Sequence, residues 1–166
     1  MRIRLKYIVY LCSLLIFIIM AVTSCSIETY ATKKNDANQE ILSYIADNNI
    51  DATPKTSGLV FIPINEGEGE CPESGDKVAF HYKGYYMNGE VFDNSYDKSY
   101  PLIVQLGSNA LIKGMEEALM MMKKGAKAMV IVPFYLAYND REYAPVPLYS
   151  NLIFELEVID FISVTE

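Results

Sequence analysis

Few residues in this chain could perform covalent chemistry. His81 is the only histidine, and the three cysteines stand at positions 12, 25 and 71. A nucleophile–base pair needs a serine or cysteine beside a histidine. His81 lies within a strand-like run beside Tyr82, where a hydrogen-bonded structural histidine is the simpler assignment. A zinc site would have to be built almost wholly from carboxylates, so neither metal nor cofactor is expected. Gly67-Glu68-Gly69 lacks the third glycine and the following helix of a phosphate loop, and its charge would repel phosphate. The remaining chemistry is aromatic, with 13 tyrosines and 7 phenylalanines but no tryptophan. A cleft lined by such rings and one or two polar groups binds an apolar ligand or side chain.

These rings must be positioned by a strand-rich chain. Leu59–Ile62 is a short apolar run closed by Pro63, and Lys77–Met87 alternates as a strand. Asn88-Gly89 is a two-residue hairpin signal leading into Glu90–Asp93. Leu102–Leu106 forms the next strand and ends at Gly107. Leu111, Ile112, Met115, Ala118, Leu119 and Met122 then recur at helical spacing, with Lys123-Lys124 suited to the helix end before Gly125. Lys127–Val132 and Leu152–Phe161 complete an antiparallel sheet of about five strands wrapped around one short helix, an α+β fold. Upstream, Asp36 and Gln39 have capping-box spacing. Ala37, Ile41, Tyr44 and Ile45 extend a short helix to Asn48-Asn49, expected to pack on its own domain rather than on a second copy.

The 166-residue chain carries a net charge of −7, but its charge and apolar content are uneven. Residues 1–24 contain Arg2, Arg4 and Lys6, no acidic residue, and an apolar run from Tyr7 to Val22: the pattern of an export signal. As a helix that run would span roughly 24 Å against a hydrocarbon core of about 30 Å, so an uncleaved membrane helix is the second choice. It ends in Val22-Thr23-Ser24-Cys25, which resembles the lipobox of bacterial lipoproteins. That resemblance implies cleavage before Cys25, acylation of Cys25 and a membrane-anchored exported protein facing the periplasm. The expected organisation is a signal peptide over 1–24, a lipidated tether over 25–35, a short helical segment and linker over 36–56, and a globular domain over 57–163. Cys71 is then left without a disulfide partner. Removal of the three basic residues takes the net charge to −10, which disfavours nucleic acid as a partner.

The landmarks SGL (57–59), GEGECPESGDKV (67–78), HYKG (81–84), NGEVFDNS (88–95), LIKGMEEAL (111–119), LAY (136–138) and NLIFELEV (151–158) occur in order over about a hundred residues. Together they resemble the FKBP-type peptidyl-prolyl cis–trans isomerases, in particular their lipid-anchored bacterial members. The resemblance implies a pocket for a proline ring within proline-containing polypeptides. Tyr82 and Phe92 would form walls, and Asp93 would accept a hydrogen bond from the ligand. Val104 would lie beneath the ring. Leu111 and Ile112 would line the mouth, with the Ile112 backbone N–H donating to a substrate carbonyl. Tyr138 would donate its hydroxyl to the carbonyl beside the rotating bond, and Phe154 would close the far side. Met115 stands where the family usually has a tryptophan floor, which implies a softer floor and weakened affinity for a macrolide ligand. Asn139 stands where glycine usually follows the tyrosine, and asparagine tolerates the left-handed conformation better than most residues. The loop 139–149 also departs from the family's usual form.

By this resemblance the activity would be isomerisation of prolyl bonds in exported proteins during folding. A non-catalytic FKBP-like binding or chaperone module is the competing reading, supported by Met115 and the altered loop.

Overall fold

The structure, a computed structural model, describes residues 29–164, so residues 1–28, including the signal-like segment and Cys25, lie outside the described region. The compact unit runs from Lys33 onward. Its first helix, α1 (Tyr30–Asp47), begins at Tyr30 rather than near Asp36. Thr29 supplies the cap, its hydroxyl oxygen accepting the Thr32 N–H at 3.2 Å. An N-terminal hydroxyl cap satisfies one of the helix's orphan amides. The residues expected as tether are therefore helical from Tyr30.

The sheet contains β1 (Val60–Asn65), β2 (Lys77–Tyr86), β3 (Val91–Asn94), β4 (Leu102–Gln105), β5 (Lys127–Val132) and β6 (Leu152–Ile162). The spatial order is β1-β5-β6-β2-β3, with β4 also paired to β2, and every pairing is antiparallel. β3 and β4 use different stretches of β2, pairing with Lys83–Tyr85 and Lys77–Phe80 respectively. Six strands therefore occupy five positions, in accord with the expected α+β architecture. β1 does not stop at Pro63: it continues to Asn65 after a register shift. As an edge strand paired only with β5, it can accommodate a residue lacking an N–H. A hairpin forms at Asn88-Gly89, with Gly89 at φ 85°, but the Tyr86 N–H donates to Glu90 O and the Gly89 N–H to Tyr86 O, so the connection is Met87–Gly89, one residue longer than the two-residue turn expected.

Alternation along β5 and β6 divides the apolar residues between two faces. Val130, Val132, Leu152, Phe154, Leu156 and Val158 join Phe80 and Leu119 in the main core. Ile131 and Ile153 point to the other face, where Val60 and Ile41 of α1 join them. The N-terminal helix thus docks on its own domain. The core helix α2 (Lys113–Leu119) is shorter than its apolar spacing suggested. Leu111 lies in a bend and Ile112 is extended at its start, and Met121 and Met122 continue in tight turns whose amides donate to Ala118 and Leu119. Gly114 lets α2 approach β5 closely, since a Cβ there would overlap the Val132 side chain. Among the described residues, no helix is long and apolar enough to cross a membrane.

Ile41 is 1% exposed. Ile41→Ala should reduce folding stability by about 2–5 kcal/mol, the usual range for emptying a buried isoleucine site. Chemical denaturation checks this, and the midpoint loss should be independent of protein concentration because the contact is made within one chain.

Candidate active site

β2 and β6 run side by side over ten residues, placing Gly84 directly across from Phe154. A Cβ on Gly84 would lie 2.6 Å from Phe92 Cζ and 3.0 Å from Phe154 Cε1. The glycine of HYKG is thus required by space, and its absent side chain lets two rings meet. Phe92 and Phe154 pack edge-to-face with centroids 5.7 Å apart, and Tyr82 packs against Phe154 at 6.3 Å. Such tilted contacts are the favourable arrangement for aromatic quadrupoles.

A cleft of about 740 Å³ opens beside these rings. Of the residues expected from sequence, Tyr82, Asp93, Leu111, Ile112, Met115, Tyr138 and Phe154 line it. Phe92 and Val104 do not. Both are part-buried against the main core, and Phe92 supports Phe154 from behind. Met115 is 5% exposed and projects from α2 into the base of the cleft. Leu102, Tyr135 and Tyr143 also line the cleft and were not singled out from sequence. Leu102 was accessible to the same reasoning as Val104, because residues two apart on a strand share a face. Tyr135 and Tyr143 belong to the irregular connection between β5 and β6, where no periodicity indicates which side chain turns inward.

Lys113, Arg141 and Glu142 bring charge to the cleft lining, and the polar groups held in fixed orientations centre on Asp93. Tyr82 donates its hydroxyl to Asp93 Oδ2 at 2.6 Å, and the Asn94 N–H donates to Asp93 Oδ1 at 2.9 Å. The carboxylate is held from both ends, and its remaining lone pairs can accept from a ligand. Tyr82 therefore acts as a wall and as an orienting donor together. Across the cleft, Tyr138 stacks on Tyr143 with centroids 4.2 Å apart and planes 8° from parallel. Burial pushes both the Tyr82 and Tyr138 phenols well above their ordinary value of 10.0. Asp93 reinforces the shift at Tyr82, while Tyr143 and then Asp93 do so at Tyr138. Both phenols consequently remain protonated donors through neutral and mildly alkaline pH. The third donor is a backbone group. The Ile112 carbonyl accepts from Met115 and Glu116 at the start of α2. Its N–H, at a residue lining the cleft, has no acceptor among the described residues.

Asn139 adopts φ 60°, the left-handed turn expected of asparagine after Tyr138. Its N–H donates to Phe134 O at 2.9 Å, and its carbonyl accepts the Tyr149 N–H at 3.0 Å, closing the base of the loop. His81 takes the structural role: its Nδ1 lies 3.0 Å from Ser95 Oγ and its ring stacks on Tyr96. Among the described residues, no group of three or more potential ligands could hold a metal ion.

With this geometry in view, the comparisons with known proteins converge. The family model described as FKBP-type peptidyl-prolyl cis-trans isomerase matches residues 68–159. FkpA of Buchnera aphidicola (subsp. Acyrthosiphon pisum), a protein bearing the same description, is 38% identical over 108 residues, covering 65% of this chain and 44% of that protein. FK506-binding protein 1A of Neurospora crassa is 39% identical over 108 residues, covering 64% of this chain and 90% of that protein. The crystal structure of FkpA from Escherichia coli superposes with a TM-score of 0.65 at 29% identity, covering 90% of this chain and 70% of that one. The chain spans under half the length of the FkpA sequences it matches.

Gly84→Ala tests the steric basis of the cleft. The added methyl must displace the rings of Phe92 and Phe154, and overpacking of this kind typically removes about 1–3 kcal/mol. Thermal unfolding should show a midpoint lower by several degrees, with near-ultraviolet aromatic dichroism altered in the folded state.

Proposed function

The chain belongs to the FKBP-type peptidyl-prolyl cis–trans isomerase family, and on that footing we propose that its cleft catalyses rotation about the amide preceding proline in other polypeptides. The observation that carries this reading is the opposition of donors and acceptor across one apolar floor. Tyr138 and the Ile112 N–H face the cleft with the Tyr82-held Asp93, above Met115 and Phe154.

Uncatalysed rotation must cross a barrier of about 18–20 kcal/mol because resonance keeps the amide planar. Water stabilises the planar form by hydrogen-bonding its polarised carbonyl. In an apolar cleft that stabilisation is lost, while the twisted amide gains a more basic nitrogen and a less polar carbonyl. A site that binds the twisted form better than either planar isomer lowers the barrier without forming a covalent bond. Each ~1.36 kcal/mol of preferential binding gives a tenfold rate increase, so ~10⁴-fold needs about 5.5 kcal/mol. Packing of the proline ring on Phe154 and Met115, with hydrogen bonds from Tyr138 and the Ile112 N–H, is of the right size. Asp93 is placed to receive polarised hydrogens of the bound segment. A macrolide would share this floor, and the flexible Met115 thioether gives it a softer surface than an indole, hence weakened affinity.

The clients are exported polypeptides in the course of folding. We place the domain at a bacterial membrane surface facing the periplasm, through acylation of Cys25 after removal of residues 1–24. The support is the run Val22-Thr23-Ser24-Cys25 at the end of an apolar segment preceded only by positive charge. Acyl chains in pairs give stable anchoring, whereas one chain is marginal.

A protease-coupled assay on X–Pro peptides tests the activity. Turnover above the uncatalysed rate should fall by about tenfold or more in Asp93→Ala and several-fold in Tyr138→Phe, the loss of one oriented hydrogen bond being worth about 1 kcal/mol. Rates at background for several residues preceding proline, with client binding retained, would instead support the non-catalytic binding module. For the anchor, Cys25→Ser should move the protein from the membrane to the soluble fraction, and retention at the membrane would identify an uncleaved helix.

A further inference from the structure

The N-terminal helix does more than cover the back of the sheet. It makes polar contacts with both ends of the loop that forms one wall of the cleft. Tyr135, at the loop's start, donates its hydroxyl to Asn38 Oδ1 at 2.8 Å, and Lys34 Nζ lies 4.3 Å from its ring centroid. Tyr149, at the loop's end, carries Lys33 Nζ 4.3 Å from its ring centroid. Just past Tyr149 stands Asn151, 3% exposed at the threshold of β6. Its Oδ1 accepts the Phe134 N–H at 3.0 Å, while its Nδ2 donates to Ala37 O at 3.0 Å and to Glu40 Oε2 at 2.6 Å. The Phe134 carbonyl in turn accepts the amides of Ala137 and Asn139, which flank Tyr138. A continuous set of hydrogen bonds therefore runs from the backbone of α1 to the two amides that fix the Tyr138 turn.

We propose that α1 is a positioning element of the isomerase, with Asn38 and Asn151 as positioning residues that set the Tyr135–Tyr138 wall against the Asp93 side of the cleft. Neither residue lines the cleft, so they act through the loop. The physical reason is the loop's irregularity. The segment from Pro133 to Ser150 has no sheet ladder to hold it, and its regular structure among the described residues is one 3₁₀ turn at Phe134–Leu136 and one isolated bridge between Tyr143 and Val146. Beyond its own turns and the burial of Phe134 and Val146, its orientation is supplied by side-chain bonds, and the most buried of these come from α1 and Asn151. Polar groups that are buried and fully paired hold one geometry, because every alternative leaves a group unpaired. The proposal rests on the isomerase reading for its kinetic consequence, but not for its structural one.

Two substitutions at Asn38 in the full chain separate a positioning role from a general loss of stability. Asn38→Leu removes the acceptor for the Tyr135 hydroxyl, and Asn38→Asp retains an oxygen at that place. Val158→Ala, in the core toward the far end of β6, serves as a comparator that lowers stability without touching the loop. Below the unfolding transition, kcat for an X–Pro peptide should fall about three- to tenfold in Asn38→Leu, with KM within about twofold. Asn38→Asp should recover most of the loss, and Val158→Ala should keep kcat despite a lower Tm. Ring resonances of ¹³C-labelled Tyr138 and Tyr143 give a readout independent of turnover and should shift in Asn38→Leu but not in Val158→Ala. Unchanged tyrosine resonances and kcat in Asn38→Leu would overturn the proposal, as would equal losses in Asn38→Leu and Asn38→Asp. Absence of turnover in the unaltered chain would refute the isomerase reading instead, and the tyrosine resonances would still decide whether α1 positions the wall. Asn151→Ala should reproduce the shifts if it folds, and the Asn38 pair decides the question if it does not.

Discussion

The cleft depends on one register: Gly84 of β2 lies opposite Phe154 of β6. A side chain at position 84 would occupy the place where Phe92 and Phe154 meet, so Phe92 could not support the Phe154 ring edge-to-face. Because side chains alternate along a strand, a slip of β6 by one residue would also turn Phe154 away from the face that carries Tyr82. The same slip would send Ile153, now packed beneath α1, into the cleft. The apolar pattern of β6 therefore specifies two surfaces at once, and the register that satisfies the back face is the one that builds the front.

Much of this arrangement was legible in the sequence, for reasons that can be traced to particular residues. Alternation in Lys77–Tyr86 and the Asn88-Gly89 turn are local signals, and the strands formed where those signals lay. Seven of the nine pocket positions implied by the FKBP resemblance converge on one cleft. The less legible parts share a cause, which is stabilisation by residues distant in the chain. Residues 30–35 lack apolar periodicity and resemble a tether, yet Lys33 and Lys34 rest on Tyr149 and Tyr135 from the far side of the domain. Pro63 would end a central strand, but only the tertiary position of β1 at the sheet edge makes it tolerable. The apolar stripe from Leu111 to Met122 is real, but it exceeds the α-helix because non-helical residues at the two ends can bury side chains on the same side.

The electrostatic character of the cleft follows from its protonation states. Two part-buried phenols kept neutral and one carboxylate held by Tyr82 and the Asn94 N–H set donors and an acceptor side by side. His81, the chain's one imidazole, points to the other side, beside Ser95 and stacked on Tyr96. Such an arrangement is suited to a reaction in which no bond is made or broken. Amide rotation is a reaction of that kind, since its transition state differs from its ground state in polarity and shape.

The buried polar side chains explain how a regular sheet produces an irregular cavity. Among the described residues these are Asp76, Ser95 and Asn151, and no buried side-chain donor or acceptor lacks a partner. Each stands where the ladder is interrupted. Ser95 fills the gap between β3 and β4, its Oγ accepting the Tyr82 N–H at 2.7 Å where that edge of β2 has no strand beside it. Asn151 does the same for Phe134 where β5 gives way to the loop. Asp76 accepts the amides of Glu73 and Val164 at the approach to β2. A continuous ladder would satisfy these amides at no such cost, but it would leave no opening for a ligand. At Tyr82 and at Phe134 the interruption frees the chain to turn a ring or a phenol-bearing loop toward the cleft, and the buried side chain replaces the bond that the turn removes. The cavity is thus made by breaks in the sheet, and its precision depends on the side chains that satisfy the broken ends.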